Sequence, residues 1–306
     1  MRRILIDTDT ASDDAVAIVM ALRHPEFKVE AITTVAGNVP LDIATVNAQI
    51  SIGMADTYAP KLYAGCSKPL CRPDQLTIAK FEGDDGMGNH NFPIPDVNVE
   101  KEHAVNAIAH YVEQYDELEI ITLGPLTNIA LAIRMYPDIM KKVKKIVAMG
   151  AQFGMKNPFT PAAEYNIACD PEAAQIVLTS GIYMEMIPMD ASYDDAIFEE
   201  EDLNKLRAIG TKQSDFFYDC NTGFIETCQR LYGRPMVLMP DQIAMAYLMD
   251  PSIAKVKESS YAQCETARGI SYGQFVYDYR AEEFNCTVIP KVYGDKFKKI
   301  LFAGCK

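Results

Sequence analysis

Four carboxylates, Asp7, Asp9, Asp13 and Asp14, fall within the stretch Ile6-Asp-Thr-Asp-Thr-Ala-Ser-Asp-Asp-Ala15. Ionised carboxylates packed this closely repel one another unless protons or a cation offset the charge. A hard cation held by oxygens is the simplest remedy, so the first chemistry to consider is a divalent-ion site. Helix capping explains part of the pattern. Ser or Asp before a helix caps it, and acids favour its first turn, which covers Ser12, Asp13 and Asp14. Asp7 and Asp9 are left over.

The elements that must position these acids follow from hydrophobic period. Ile4-Leu5-Ile6 is a short apolar run, and the apolar residues from Ala15 to Leu22 recur at helical spacing, so the acids lie in a strand–turn–helix unit. β-branched residues predict a strand over 29–35, ending at Gly37-Asn38, and a helix over 40–54 follows. Further strands are expected at 61–64, 118–123, 145–149 and 183–187, with helices over 102–114 and 126–135. Asp170-Pro171-Glu172 reads as a helix start, Asp as N-cap and Pro at the first position. Residues 65–100 lack either period, and within them Glu82-Gly-Asp-Asp-Gly-Met-Gly-Asn-His90 is expected to be a mobile loop or lid. Residues 198–249 read as helical with breaks at Gly210 and Gly233. The last sixty or so residues predict short strands at 253–256, 261–266 and 285–289 and a helix over 295–302. Alternating strands and helices imply an α/β fold: an open, mainly parallel but mixed sheet flanked by helices, extended by C-terminal strands and a helix. With no linker, repeat or low-complexity tract, residues 1–306 are expected to form a single domain.

Composition narrows the partners. The chain of 306 residues is 49% hydrophobic and 23% charged, ordinary for a protein with a sizeable core. A net charge of −13 argues against nucleic acid or an anionic membrane surface as partner. No apolar run approaches the ~18 residues of a membrane span, and no signal peptide is visible, so a cytoplasmic location is expected. Eight cysteines without Cys-x-x-Cys or zinc spacing suit reduced thiols.

In open parallel sheets, ligands sit beyond the carboxyl ends of the strands. That rule gathers Asp7 to Asp14, Gly37-Asn38, Leu123-Gly124, Met149-Gly150 and Asp190 into one crevice. None of the four histidines (24, 90, 103, 110) follows a core strand, no Ser-His-Asp arrangement suggests itself, and neither a P-loop nor a Gly-x-Gly-x-x-Gly fingerprint is present. The motifs Ile6 to Ala15, Ile32-Thr-Thr-Val-Ala-Gly-Asn38, Leu123-Gly-Pro-Leu-Thr-Asn-Ile129, Met149-Gly150, Ala163-Glu-Tyr-Asn166 with Asp170-Pro-Glu172, and Pro240-Asp241 together resemble the inosine-uridine preferring nucleoside hydrolases, in that family's order and spacing.

The resemblance implies a calcium-dependent hydrolysis of ribonucleosides to ribose and free nucleobase, by a homodimer or homotetramer serving nucleoside salvage. It matches Asp9, Asp14, Asp241 and the Leu123 carbonyl to Ca²⁺ ligands in a shell of about eight oxygens, more than Mg²⁺ accepts. Asp9 doubles as general base on the metal-bound water. Asp13 and Asn166 are matched to the 2′ side of the ribose, Asp241 to the 3′-hydroxyl, and Asn157 with Glu164 to the 5′-hydroxyl. Asn38 and Met149 are further sugar and water contacts, and Asn38 is grouped with Asp9 as catalytic. Because charge builds on the ribose ring as the bond breaks, surrounding carboxylates favour the transition state.

One departure stands out. Where well-known members carry a histidine that protonates the departing base, this chain has Pro240, which has no proton to give. Cys228, Tyr232 and Glu82 are the candidates to replace it. The same departure motivates a second reading, a non-catalytic ribose or nucleoside binder with the same calcium site. A dehalogenase-type phosphatase reading of Asp7-Thr-Asp9 leaves the other motifs unexplained. An EF-hand fails because Ser12 stands where its loop needs Gly and Ile18 where it needs Glu.

Overall fold

Every side chain of the first strand from Ile4 onward is buried, because the sheet it belongs to is covered on both faces. The computed structural model describes residues 1–73, 82–154 and 160–306. In chain order it runs β1 (Arg2–Thr8), α1 (Ser12–Arg23), β2 (Phe27–Thr34), α2 (Leu41–Ala55), β3 (Lys61–Ala64), β4 (Val99–Glu100), α3 (Ala104–Gln114), β5 (Glu119–Thr122), α4 (Thr127–Met135), α5 (Pro137–Met140) and β6 (Lys145–Met149). There follow α6 (Tyr165–Cys169), α7 (Pro171–Leu178), β7 (Met184–Ile187), β8 (Phe198–Glu199), α8 (Glu200–Ile209), α9 (Lys212–Cys220), α10 (Thr222–Tyr232) and β9 (Met236–Val237). The chain closes with α11 (Pro240–Met249), β10 (Ala254–Cys264), β11 (Phe275–Asp278), β12 (Cys286–Val292) and α12 (Gly294–Gly304).

Among the described residues ten strands form one sheet in the order β11-β10-β12-β7-β6-β5-β1-β2-β3-β4. From β12 to β4 neighbouring strands are parallel. β10 runs antiparallel to both β12 and β11, so the sheet is mixed at that edge. The alternation of a strand sorts its side chains onto two faces. Ile4 and Ile6 join the cluster built with α1, α11 and α12, while Leu5 points to the other side and packs with α3, α4 and α7.

The chain leaves β1 toward β2 and β3 on one side, then returns to place β5 on the other. The strand order therefore reverses between β1 and β5, and their carboxyl ends open a crevice there. α7 begins as expected: Asp170 Oδ1 accepts from the Ala173 N–H at 3.1 Å, and Pro171 takes the first helical position.

Several elements differ from the sequence expectation, among them the short β4, α5 and α6, which were not expected. The strands expected at 253–256 and 261–266 are one strand, β10, whose alternating burial runs through Lys255, Lys257 and Glu258; charged residues on its outer face hide its length. β11 was not expected at all, and four residues with Tyr277 and Asp278 half-exposed carry a weak period. The helical reading of 198–249 is interrupted by the short pair β8–β9, two residues each, too short to leave any period. No described helix is long and apolar enough to cross a membrane.

Candidate active site

β1 delivers Asp9 one residue past its end, and α1 begins three residues later. The helix cap is Ala11, whose methyl cannot accept a hydrogen bond, so Asp14 fills the role from inside the first turn. Its Oδ2 accepts from the Ala11 N–H at 3.0 Å, and its Oδ1 accepts from the Thr8 hydroxyl. Ser12, read as a capping residue, instead donates its hydroxyl to Glu82 Oε1 at 2.8 Å. Asp241 lies inside α11 behind Pro240, with Met239 as the cap.

Asp9 is fully buried and closely enclosed. The Asn38 N–H donates to its Oδ2 at 2.5 Å. A Cβ on Gly37 would overlap that same oxygen, and one on Gly124 would stand 2.5 Å from Oδ1. Glycine at both positions lets the β2 and β5 ends close on the carboxylate from two sides.

Asp13, Asp14 and Asp241 each offer a carboxylate oxygen, and these lie within 4.8 Å of one another. Asp13 and Asp241 also share a hydrogen bond. Asp9 is not part of that trio; its Oδ2 is engaged by the Asn38 N–H. Its Oδ1, and Oδ1 of Asp241, are buried acceptors without a hydrogen-bond partner among the described residues. Buried polar atoms are nearly always satisfied, so two unpaired carboxylate oxygens beside an acidic trio call for a ligand. Burial pushes the Asp9 carboxyl up to about 8, with the charges of Asp13 and Glu82 adding to the effect and the Asn38 N–H opposing it. Burial likewise raises Asp13, and holds Asp14, Asp241 and Glu82 well above the usual carboxylate range. Anionic oxygens gathered against their own solvation fit a hard divalent cation, whose charge inverts that cost.

The opposite wall comes from β6 and α6. Glu164 caps α6, accepting from Asn166 N–H at 2.9 Å, Ile167 N–H at 3.3 Å and Ala151 N–H at 3.0 Å. Burial pushes its carboxyl up to about 7. Asn166 Nδ2 donates to the Leu123 carbonyl at 2.7 Å and lies 3.3 Å from the Met149 sulfur. The strand ends of β5 and β6 are thus bound to α6 by one carboxamide. Asp7 faces the other way: its Oδ1 accepts from Thr33 Oγ1 at 2.5 Å and Asn128 Nδ2 at 2.8 Å, holding β1 to β2 and α4 behind the site.

The structure therefore brings Asp9, Asp13, Asp14, Asn38, Glu82, Leu123, Met149, Glu164, Asn166 and Asp241 to one crevice. Cys228 is buried on α10, and Tyr232, at the end of that helix, is 65% exposed, with Tyr193 near it. Asn157 lies outside the described residues. The segment from Glu82 to His90, expected to be a mobile loop or lid, is an irregular loop with its own hydrogen bonds. Asp85 Oδ1 accepts from Met87 and Asn89, Asn47 Nδ2 donates to the Asp85 and Thr10 carbonyls, and His90 Nε2 pairs with Thr222 Oγ1 at 2.9 Å. Its Asp, Asn and Gly residues make an internal hydrogen-bond frame that helix and strand periods do not register. Sequence reasoning also missed Ser12 as the anchor of Glu82 and Tyr165, whose hydroxyl donates to the Gly37 carbonyl at 2.8 Å.

Comparison with known proteins agrees over nearly the whole length. The family described as inosine-uridine preferring nucleoside hydrolase matches residues 4–299. A pyrimidine-specific ribonucleoside hydrolase, RihB of Escherichia coli O157:H7, is 34% identical over 278 residues, covering 90% of this chain and 87% of its own. The solved structure of an inosine-guanosine nucleoside hydrolase superposes with a TM-score of 0.91 at 27% identity, covering 100% of this chain and 99% of that one. A purine-preferring ribonucleoside hydrolase from Gardnerella vaginalis gives 0.92 at 26% identity, with the same coverage.

Proposed function

Since the chain belongs to the inosine-uridine preferring nucleoside hydrolase family, and with it to the N-glycosyl hydrolases, we propose that it is a calcium-dependent ribonucleoside hydrolase with Asp9 as general base. One observation carries the reading: the buried, unpaired Oδ1 of Asp9 lies near the Asp13–Asp14–Asp241 trio, in which Asp241 has an unpaired Oδ1 of its own. Asp9, Asp14, Asp241 and the Leu123 carbonyl would hold the cation. Bound there, Ca²⁺ supplies an anchor for a vicinal diol and a field that acidifies water.

The protein's own groups do the rest. Asp9, fixed by Asn38 and enclosed by two glycines, takes a proton from the attacking water. Asp13 and Asn166 hold the 2′ side of the ribose, Asp241 the 3′-hydroxyl and Glu164 the 5′ side. Positive charge building on the ring faces carboxylates that burial has kept from water, where their field is strongest. Of the three candidates to protonate the leaving base, Glu82 alone adjoins the cluster, held there by Ser12. Pro240, buried at the start of α11, favours a second reading in which nucleoside binds but is not cleaved.

The test is incubation of the purified protein with a panel of purine and pyrimidine ribonucleosides and CaCl₂, assaying free reducing sugar. Release that is lost with chelator and with Asp9→Ala is expected. Calorimetric binding of intact nucleoside without any sugar release would establish the binder instead.

A further inference from the structure

We propose that Tyr165 is a positioning residue for Asp9, acting through the single peptide bond that joins Gly37 to Asn38. This rests on the reading of Asp9 as the base. The Tyr165 hydroxyl donates to the Gly37 carbonyl oxygen at 2.8 Å, and the N–H at the other end of that same peptide, on Asn38, donates to Asp9 Oδ2 at 2.5 Å. The two hydrogen bonds are therefore in series across one planar amide, which has no internal torsion free to relax. A hydrogen bond accepted by the carbonyl polarises the amide and strengthens what its N–H can donate, so the phenol reinforces the bond to the carboxylate from the far side.

Packing makes the chain of contacts specific. Gly37 lies so close to Asp9 that any side chain there would overlap the carboxylate, so a shift of this peptide transmits directly to Asp9. Tyr165 is 6% exposed, and it also hydrogen-bonds Cys169 one turn later in α6, which fixes the ring. It stands between Glu164 and Asn166 in sequence, so the first turn of α6 addresses the sugar wall and the base wall of the crevice together.

Tyr165→Phe removes only the hydroxyl and keeps the ring that fills the core. The experiment measures kcat and KM for a nucleoside that the parent cleaves, together with the amide proton shift of Asn38 by NMR, on the calcium-loaded protein. Expected are a kcat five- to twentyfold lower, a KM within twofold of the parent, and an upfield move of the Asn38 amide as its bond to Asp9 weakens. A merely structural role would lower thermal stability or raise KM without moving that resonance. A kcat within twofold of the parent, or an unmoved Asn38 amide, overturns the proposal. Should Tyr165→Phe be too unstable to assay, Tyr165 labelled with 3-fluorotyrosine keeps the ring and makes a stronger donor. The Asn38 amide must then move downfield, and no movement overturns the proposal. Asp9→Asn separates the two readings. If it is inactive while Tyr165→Phe behaves as the parent, the positioning role alone has failed; if Asp9→Asn keeps the parent kcat, the base assignment has failed and the positioning role with it.

Discussion

The carboxamide of Asn166 donates to the main-chain carbonyl of Leu123 across 2.7 Å, joining the first turn of α6 to the end of β5. That carbonyl is the one placed among the proposed calcium ligands, and Gly124, next in the chain, presses on Asp9. One side chain thus registers the wall that carries Glu164 against the wall that carries the base.

Asn166→Ala should therefore cost more than a lost sugar contact. Truncation leaves the buried Leu123 carbonyl without its donor, a loss of about 1–3 kcal/mol. If that energy is spent in the transition state, kcat/KM falls about 10- to 100-fold. Steady-state kinetics on the purified variant checks it, and a fall confined to KM would assign Asn166 to ground-state binding alone.

Gly124→Ala tests the enclosure of Asp9. The new methyl would lie 2.5 Å from Asp9 Oδ1 and 2.9 Å from the Asp9 nitrogen, so either β5 or the carboxylate must shift. Displacing a catalytic group by about 1 Å commonly costs about 100-fold in rate. We expect that loss in kcat, while Gly269→Ala, where no atom lies within 4 Å of the added carbon, stays within twofold of the parent. Comparable losses in both variants would mean the effect is not a matter of contact with Asp9.

Glu82→Gln separates leaving-group protonation from sugar chemistry. Gln keeps a group to accept from Ser12, but it is a far weaker proton donor than a carboxylic acid. On a ribonucleoside with a basic leaving group kcat should fall about 100-fold, the scale of general acid catalysis. On 4-nitrophenyl riboside, whose departing phenolate needs no proton, the same variant should stay within about threefold of the parent. Equal losses on both substrates would remove Glu82 from the acid role.

How far the sequence speaks for itself varies with the range of the interaction. β3 and β6 stand at their expected residues because a buried parallel strand writes its limits in a run of apolar side chains. β10 was divided in two because Lys257, Glu258 and Ser259 are polar in its middle, and only pairing with β12 accounts for them as one strand. The crevice itself was legible, since strand ends in an open sheet must converge. Which oxygens end unpaired was not: Asp9 Oδ1 differs from Oδ2 only because the Gly37–Asn38 peptide reaches one of them. Tyr165 is invisible to local pattern for the same reason, its partner Gly37 lying 128 residues earlier.

The opposite end of the sheet carries a stability prediction. Glu119, at the start of β5 and 2% exposed, accepts from Arg2 Nε at 2.9 Å and Arg2 Nη2 at 2.6 Å, with Lys145 at 3.7 Å. Burial alone would raise its carboxyl, but the Arg2 hydrogen bonds and the charges of Arg2, Lys145 and Lys144 outweigh it and hold Glu119 below the ordinary value of 4.5. A folded-state value below the unfolded one gives stability that is complete above the unfolded value and is lost as pH falls through the folded one. Glu119→Gln keeps the shape and loses the charge, leaving Arg2 short of its counter-ion at the edge of the core, while Lys145 keeps Glu185 at 2.8 Å. It should destabilise the protein by about 2 kcal/mol near pH 7. Because the parent loses the same charge on acidification, the gap between the two denaturation curves should narrow steadily below about pH 4.5, the unfolded value. Urea titrations of both proteins between pH 3 and pH 8 measure it, and a gap that stays constant across that range would show that the Glu119 charge contributes nothing to the fold.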